Sequence, residues 1–156
     1  MILYLKWPFI LRFEVPETRK HLIYNTYTDV LGVAESMLQG EIAYRKGEFE
    51  LAFSKLREAV ATDAALSYEE PWSWMQPPRH ALGALLLEQG QVAEAAEVYT
   101  ADLAAHPGGN VWALHGLTEC EERGATLTLP TYPIECEANA KVSLRERLAA
   151  ATVSNK

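Results

Sequence analysis

The sequence predicts an all-α fold, in which antiparallel helical hairpins stack side by side. Residues 77–107 have the apolar spacing of two amphipathic helices joined by a turn at Gly90. The same pattern occurs 43 residues earlier, and residues 110–124 begin a further copy, so we expect about two and a half hairpins. The predicted divisions are an extended N-terminal arm (1–27), the helical repeats (28–124), and an extended segment followed by a C-terminal capping helix (125–156).

The arm is rich in apolar and aromatic residues but has no regular period. Pro8 and Pro16 interrupt any long helix, so we expect an extended segment with a short helix from Glu17 to about Tyr24. An apolar arm must be buried, either on the rest of its own chain or on a second copy. We therefore predict a homodimer.

The first hairpin is predicted to begin at Thr28 or Asp29, which can cap a helix running to about Lys46. Gly47 ends that helix, and a second helix follows from about Glu48 to Thr62. The apolar residues of both segments recur at helical spacing. They are Val30, Leu31, Ala34, Met37, Leu38, Ile42 and Ala43, then Ala52, Phe53, Leu56, Ala59 and Val60.

The second hairpin repeats this arrangement. Gly83 is expected where two helices approach closely, and Gly90 at the left-handed residue that ends the first helix. Pro107 ends the second helix. Four residues of the first hairpin have equivalents 43 residues later: Gly40, Gly47, Ala52 and Leu56 correspond to Gly83, Gly90, Ala95 and Tyr99.

A third unit begins at Asn110, which can cap a helix of about Val111–Arg123. Gly124 follows Gly90 by 34 residues, but a proline-broken segment then replaces the second helix of the hairpin. Residues 136–152 regain helical spacing, and we predict a helix that caps the end of the stack.

The small, large and turn residues at these offsets resemble the tetratricopeptide repeat, a helical hairpin of about 34 residues. The runs YEEPWSWMQPPRHALGALLLEQG and NVWALHGLTEC are similar to the C-terminal third of longer bacterial and fungal proteins of this family. The resemblance implies a stack whose first helices line a concave groove, and a function in binding other proteins.

The main functional hypothesis is an interaction module that binds a protein or peptide segment, with no catalytic residues. We expect the partner in the groove or on the aromatic loop between the two hairpins. Alternatively, the aromatic loop binds no partner and its rings only pack against the helices. The candidate binding residues are Met37, Glu41, Tyr44, Arg45, Trp72, Trp74, His80 and Leu87.

The alternative hypothesis is a small-molecule binding protein or a biosynthetic accessory enzyme of the cyclase or isomerase type. Its acid–base residues would be His80, Glu70 and His115, in a pocket under the tryptophans. We expect no cofactor, because the chain has no phosphate-binding loop, dinucleotide fingerprint or nucleophile motif. We expect no metal either, because His115 and Cys120 are five residues apart and do not share a helical face well.

Charge and composition limit the partners and the compartment. The formal net charge of −7 argues against nucleic acid and leaves basic peptides or neutral small molecules as easier partners. The apolar run MILYLKWPFILR is too short and too interrupted for a membrane span, and it lacks the features of a signal peptide. With only Cys120 and Cys136, which we expect to be reduced thiols, the sequence predicts a cytoplasmic protein without a membrane partner.

Overall fold

The structure is a computed structural model that describes residues 15–106 and 110–127, with Arg145, Glu146, Ala149 and Thr152 near the C terminus. Residues 1–14 of the predicted arm therefore lie outside the described residues. Most of the predicted capping helix over 136–152 also lies outside them, although the four residues described there are helical.

The described chain is mostly helical, which agrees with an all-α fold in its coarse form. It divides into two compact units, Met1–Pro78 and Arg79–Lys156, and each is described by itself. The elements are β1 (Lys20–His21), β2 (Asn25–Thr26), α1 (Tyr27–Arg45), α2 (Phe49–Ala64), α3 (Pro78–Glu88), α4 (Val92–Ala105) and α5 (Val111–Glu122).

A small β-hairpin occupies the place of the short helix expected from Glu17 to Tyr24, so that prediction was wrong. β1 and β2 pair antiparallel, with Lys20 opposite Thr26. Leu22, in the turn between them, has a φ of 52° in the left-handed region. The turn is stabilised by Glu69, a residue more than forty positions away. The Glu69 carboxylate accepts hydrogen bonds from the backbone amides of Ile23, Tyr24 and Asn25. The spacing of apolar residues within a short segment does not predict such a long-range contact.

The N-cap of the first helix lies two residues before the earliest predicted cap. Thr26 is the N-cap, and its side chain accepts a hydrogen bond from the backbone amide of Asp29. The Asp29 carboxylate accepts in return from the backbone amide of Thr26 at 3.1 Å, which completes a capping box. Asp29 is thus the third helical residue of α1 rather than its cap.

The same turn ends a helix three times in the described chain. At the end of α1, the amide of Glu48 donates to the carbonyl of Ala43 at 2.9 Å, a Schellman motif. Gln91 donates to Leu86 at 2.9 Å after α3, and Ala125 to Cys120 at 2.9 Å after α5. The left-handed residues are Gly47 (φ 79°), Gly90 (φ 74°) and Gly124 (φ 92°), the three glycines that the sequence analysis placed at helix ends.

The helices of each hairpin pack closely at one glycine. A Cβ atom added to Gly40 of α1 would lie 2.7 Å from Cγ of Leu56 in α2. One added to Gly83 of α3 would lie 2.6 Å from the ring of Tyr99 in α4. Gly83 follows Gly40, and Tyr99 follows Leu56, by the same 43 residues, so the two hairpins share this packing relation.

Tyr99 is the central side chain of the second unit. Its ring lies against Gly83 on one helix and Gly116 of α5 on another, and a Cβ at either glycine would collide with it. Because glycine has no side chain, three helices can approach one buried ring. The fully buried leucines around this unit are Leu86, Leu103, Leu114 and Leu117.

Candidate functional site

Three of the predicted binding residues are buried in the described conformation. Met37, Tyr44 and Leu87 belong to the hydrophobic core. Tyr44 packs edge-on against Phe49, with ring centroids 5.2 Å apart. Side chains in this position contribute to packing and are not presented to a partner.

The other predicted binding residues of the first unit are more accessible. Glu41 and Arg45 are exposed on α1. Trp72 in the loop after α2 is exposed, whereas Trp74 is partly buried and its indole N–H donates to Sδ of Met37 at 3.0 Å. In the described conformation, one indole of the aromatic loop packs on α1 and the other is exposed to solvent.

A buried carboxylate fastens the β-hairpin to this loop. Glu69 has a side chain that is only 2% exposed. Its Oε1 accepts from the backbone amides of Ile23 at 2.9 Å, Tyr24 at 2.6 Å and Asn25 at 3.2 Å. Three amides that converge on one oxygen form an anion-binding nest. Its Oε2 accepts from Oγ of Ser73 at 2.5 Å and lies 3.3 Å from Nδ1 of His21.

The ionisation of Glu69 depends on these donors. Burial by itself raises the pKa of the Glu69 carboxyl. The hydrogen bonds from Ser73, Tyr24, Ile23 and Asn25 outweigh burial and hold that pKa well below its usual range. The group is therefore a carboxylate at any ordinary pH, and it keeps its four donors oriented.

Asn25 adds a second fastening between the same segments. Its side-chain amide donates to the carbonyl of Ser67 at 2.7 Å and to Oγ of Ser73 at 2.8 Å. Its Oδ1 accepts from the amide of Ser67 at 2.7 Å. The hairpin turn and the loop after α2 are thus held as one piece, although they are more than forty residues apart in the chain.

That piece carries large apolar side chains on its outside. The backbone amides of the hairpin turn face Glu69, which leaves the turn's own side chains in solvent. Ile23 is 69% exposed, and Tyr68 and Met75 of the loop are 70% and 74% exposed. We call the set of exposed side chains on this piece the tip–loop surface; it comprises Leu22, Ile23, Tyr24, Tyr68, Trp72 and Met75.

In the second unit, His80 contacts a buried acid. Asp102 of α4 is fully buried, and its Oδ2 lies 2.9 Å from Nε2 of His80. Its Oδ1 lies 3.3 Å from Nδ1 of His106. A buried carboxylate requires such donors, because an unpaired charge in the interior is costly. The carboxylate therefore links α3 to the end of α4.

Asn110 joins this cluster to the start of α5. Its Oδ1 accepts from the amides of Trp112 at 3.0 Å and Ala113 at 3.4 Å, as the predicted N-cap should. Its Nδ2 donates to Oδ2 of Asp102 at 2.8 Å and lies 2.9 Å from Nε2 of His80. The cap and the carboxylate orient each other, so three helices of the unit meet at this polar cluster.

The alternative acid–base set is placed differently from the expectation. The carboxylate against His80 is Asp102, whereas Glu70 accepts a hydrogen bond from the hydroxyl of Tyr68. His115 is exposed on α5. Among the described residues, no group of three or more His, Cys, Asp or Glu is arranged to hold a metal ion.

Sequence reasoning missed the two buried carboxylates that organise these sites. Asp102 had a usable signal, because it takes the register position of Ala59, which is fully buried in the first hairpin. A charged residue at a core position requires polar partners and marks a cluster. Glu69 had no comparable signal, since it lies in a loop without periodicity.

The described chain is an all-α protein of helical hairpins with one β-hairpin. In comparisons with family models, curated proteins and solved structures, no match to the chain was found. Within the part of the chain that the structure describes, none of the helices combines the length and the apolar character that crossing a bilayer requires.

Proposed function

We propose that the protein is an interaction module of the tetratricopeptide type, whose tip–loop surface binds a protein or peptide segment. The observation that carries the proposal is the exposure of large apolar side chains on a backbone that Glu69 and Asn25 hold rigid. Exposed apolar side chains in one place are typical of interaction sites. Ordering this backbone before a partner arrives reduces the entropy lost on binding.

The repeated architecture supports the part of the proposal that concerns the fold, a module of the tetratricopeptide type. The three helix-ending turns have the same hydrogen bonds, and Gly40 and Gly83 meet Leu56 and Tyr99 in the same way. Such equivalence is what duplicated helical hairpins produce. We further propose that the hairpins stack side by side, that the protein is cytoplasmic, and that a homodimer forms through the apolar arm.

Substitutions on the tip–loop surface test the binding half. The purified chain is applied to an array of synthetic peptides that contain apolar residues. Ile23→Ser and Met75→Ser should each reduce retention on the array, because both side chains are exposed and support no helix packing. The control is Leu51→Ser, which changes a 49% exposed leucine on α2, away from the tip and the loop. Unchanged retention with both tip–loop variants would overturn the proposal.

A second candidate function, acid–base chemistry, is favoured by one observation, the contact between His80 and the buried Asp102. A carboxylate that orients an imidazole is a common arrangement in general acid–base catalysis. His80→Ala distinguishes the two functions. The binding proposal expects a lower melting temperature and unchanged peptide retention, since the cluster then only joins helices. Loss of bound small molecule with unchanged melting would favour the second candidate.

A further inference from the structure

We infer that the segment bound at the tip–loop surface carries a lysine or arginine, which Glu70 recognises together with the ring of Tyr68. The inference rests on the proposed function and specifies the chemistry of its partner.

Glu70 and Tyr68 form an exposed pair of an acid and an aromatic ring. Both side chains are exposed, and the Tyr68 hydroxyl donates to Oε1 of Glu70. This hydrogen bond raises the pKa of the Tyr68 phenol, as do desolvation and the nearby negative charge. The phenol is thus the donor of this hydrogen bond and Glu70 is its acceptor. An ammonium or guanidinium over the ring would be attracted by the ring face and by the carboxylate at once.

The basic side chains of the neighbouring β-hairpin are engaged elsewhere. Nζ of Lys20 donates to the carbonyl of Tyr24 at 3.0 Å. The guanidinium of Arg19 lies over the ring of Tyr27, 5.3 Å from its centroid. Within the described ranges 15–106 and 110–127, no Lys or Arg forms an ion pair with Glu70. Since none of the cationic side chains in these ranges pairs with Glu70, a lysine or arginine of the partner can form that ion pair.

Charge complementarity favours a basic partner over a neutral or acidic one. The chain has a formal net charge of −7, so its field attracts cationic segments and repels anionic ones. The apolar side chains of the tip–loop surface supply binding area without regard to charge. We therefore expect Glu70 to determine preference among peptides that share the same apolar residues.

The test uses the full chain and an array of peptides that are identical except at one central position. That position holds lysine, arginine, norleucine or glutamate, in a constant apolar sequence. Lysine and arginine peptides should retain the protein about three- to tenfold more strongly than the norleucine peptide. The glutamate peptide should retain it least, and added sodium chloride should narrow the differences, because salt screens exposed charges.

Glu70→Gln isolates the carboxylate. This variant should lose the preference for lysine over norleucine while it keeps the binding of the norleucine peptide. The matched control is Glu50→Gln, which removes the same charge from an exposed position on α2 and should keep the preference. Tyr68→Phe removes the hydroxyl but retains the ring, and should keep part of the preference.

Equal retention of lysine and norleucine peptides, or an unchanged preference in Glu70→Gln, would overturn the inference and leave the proposed function standing. Absence of any retained peptide, or retention that the tip–loop substitutions do not alter, would instead overturn the proposed function itself.

Discussion

Single buried polar residues determine the local geometry of both units. Glu69 gathers three backbone amides and a serine hydroxyl, and Asp102 gathers two imidazoles and a capping amide. Glu69 joins the hairpin turn to the loop after α2, and Asp102 joins α3, α4 and the start of α5. Their removal would leave buried donors without acceptors, which is more costly than losing an ordinary hydrogen bond. We therefore expect substitutions at these two residues to destabilise the fold.

Replacing Glu69 by glutamine should loosen the tip of the β-hairpin. The amide has one acceptor oxygen, and its NH₂ group would face donors that the carboxylate now satisfies. We expect a lower melting temperature and faster hydrogen exchange at the amides of Ile23 and Tyr24. The control, Glu70→Gln, changes the neighbouring exposed acid and should leave both measurements close to wild type.

The same substitution should alter the response to acid. Because folding lowers the pKa of Glu69, its stabilising effect is present above the unfolded pKa of about 4.5 and is lost as the pH falls toward the folded value. Urea denaturation should therefore show a smaller loss of stability on acidification for Glu69→Gln than for wild type. Identical losses would contradict the depressed pKa.

Tyr99 should affect stability at the alkaline end. Burial, together with the nearby Cys120, Glu119 and Asp102, raises the pKa of its phenol to about 12. Between the ordinary value of 10.0 and about 12 the unfolded chain loses this proton and the folded chain keeps it, so stability falls as the pH rises through that range. Tyr99→Phe should show a smaller alkaline fall in urea denaturation. Its absorbance titration should also lack one tyrosine that ionises above the ordinary value of 10.0.

At the scale of the element, the glycine turns explain where the helices end. Gly47 and Gly90 have left-handed backbone with open space at the Cβ position, whereas Gly83 has helical backbone with a crowded one. Glycine is required at Gly47 and Gly90 because the backbone is left-handed, and at Gly83 because a neighbouring side chain leaves no room for a Cβ atom. Substitution by alanine should therefore destabilise the protein for a different reason at each kind of site.

Alanine at Gly47 or Gly90 should lower the free energy of unfolding by about 1 kcal/mol, because a side chain strains the left-handed conformation. Asparagine tolerates that conformation better, so Gly47→Asn should cost less than Gly47→Ala. Guanidinium denaturation measures both. Equal costs for the two substitutions would indicate that conformation is not the reason for glycine here.

Alanine at Gly83 should act by overpacking against the ring of Tyr99, at a cost of about 1–3 kcal/mol. The test is a double-mutant cycle with Tyr99→Leu, which puts the leucine of the first hairpin into the second. We expect the cost of Gly83→Ala to be smaller in the leucine background. An unchanged cost would contradict the close approach of α3 and α4.

At the scale of the whole molecule, the proposed homodimer follows from the apolar composition of the arm rather than from any described contact. Light scattering should give a mass of about twice 17.4 kDa for the intact chain. Deleting residues 1–15 should yield the monomer, because the apolar surface that drives association is then removed. A monomeric intact chain would refute this part of the proposal.

The sequence by itself determined helices α1 to α5, the glycine-ended turns and the Asn110 cap, because these depend on residues within one or two helical turns of each other. The close approaches at Gly40 and Gly83 also followed, since a duplicated pattern exposes equivalent positions. The β-hairpin, the partner of His80 and the burial of Glu69 were decided only by tertiary structure. Each depends on a hydrogen bond between residues 22 to 48 positions apart, and periodicity does not encode which distant donor meets which buried acceptor.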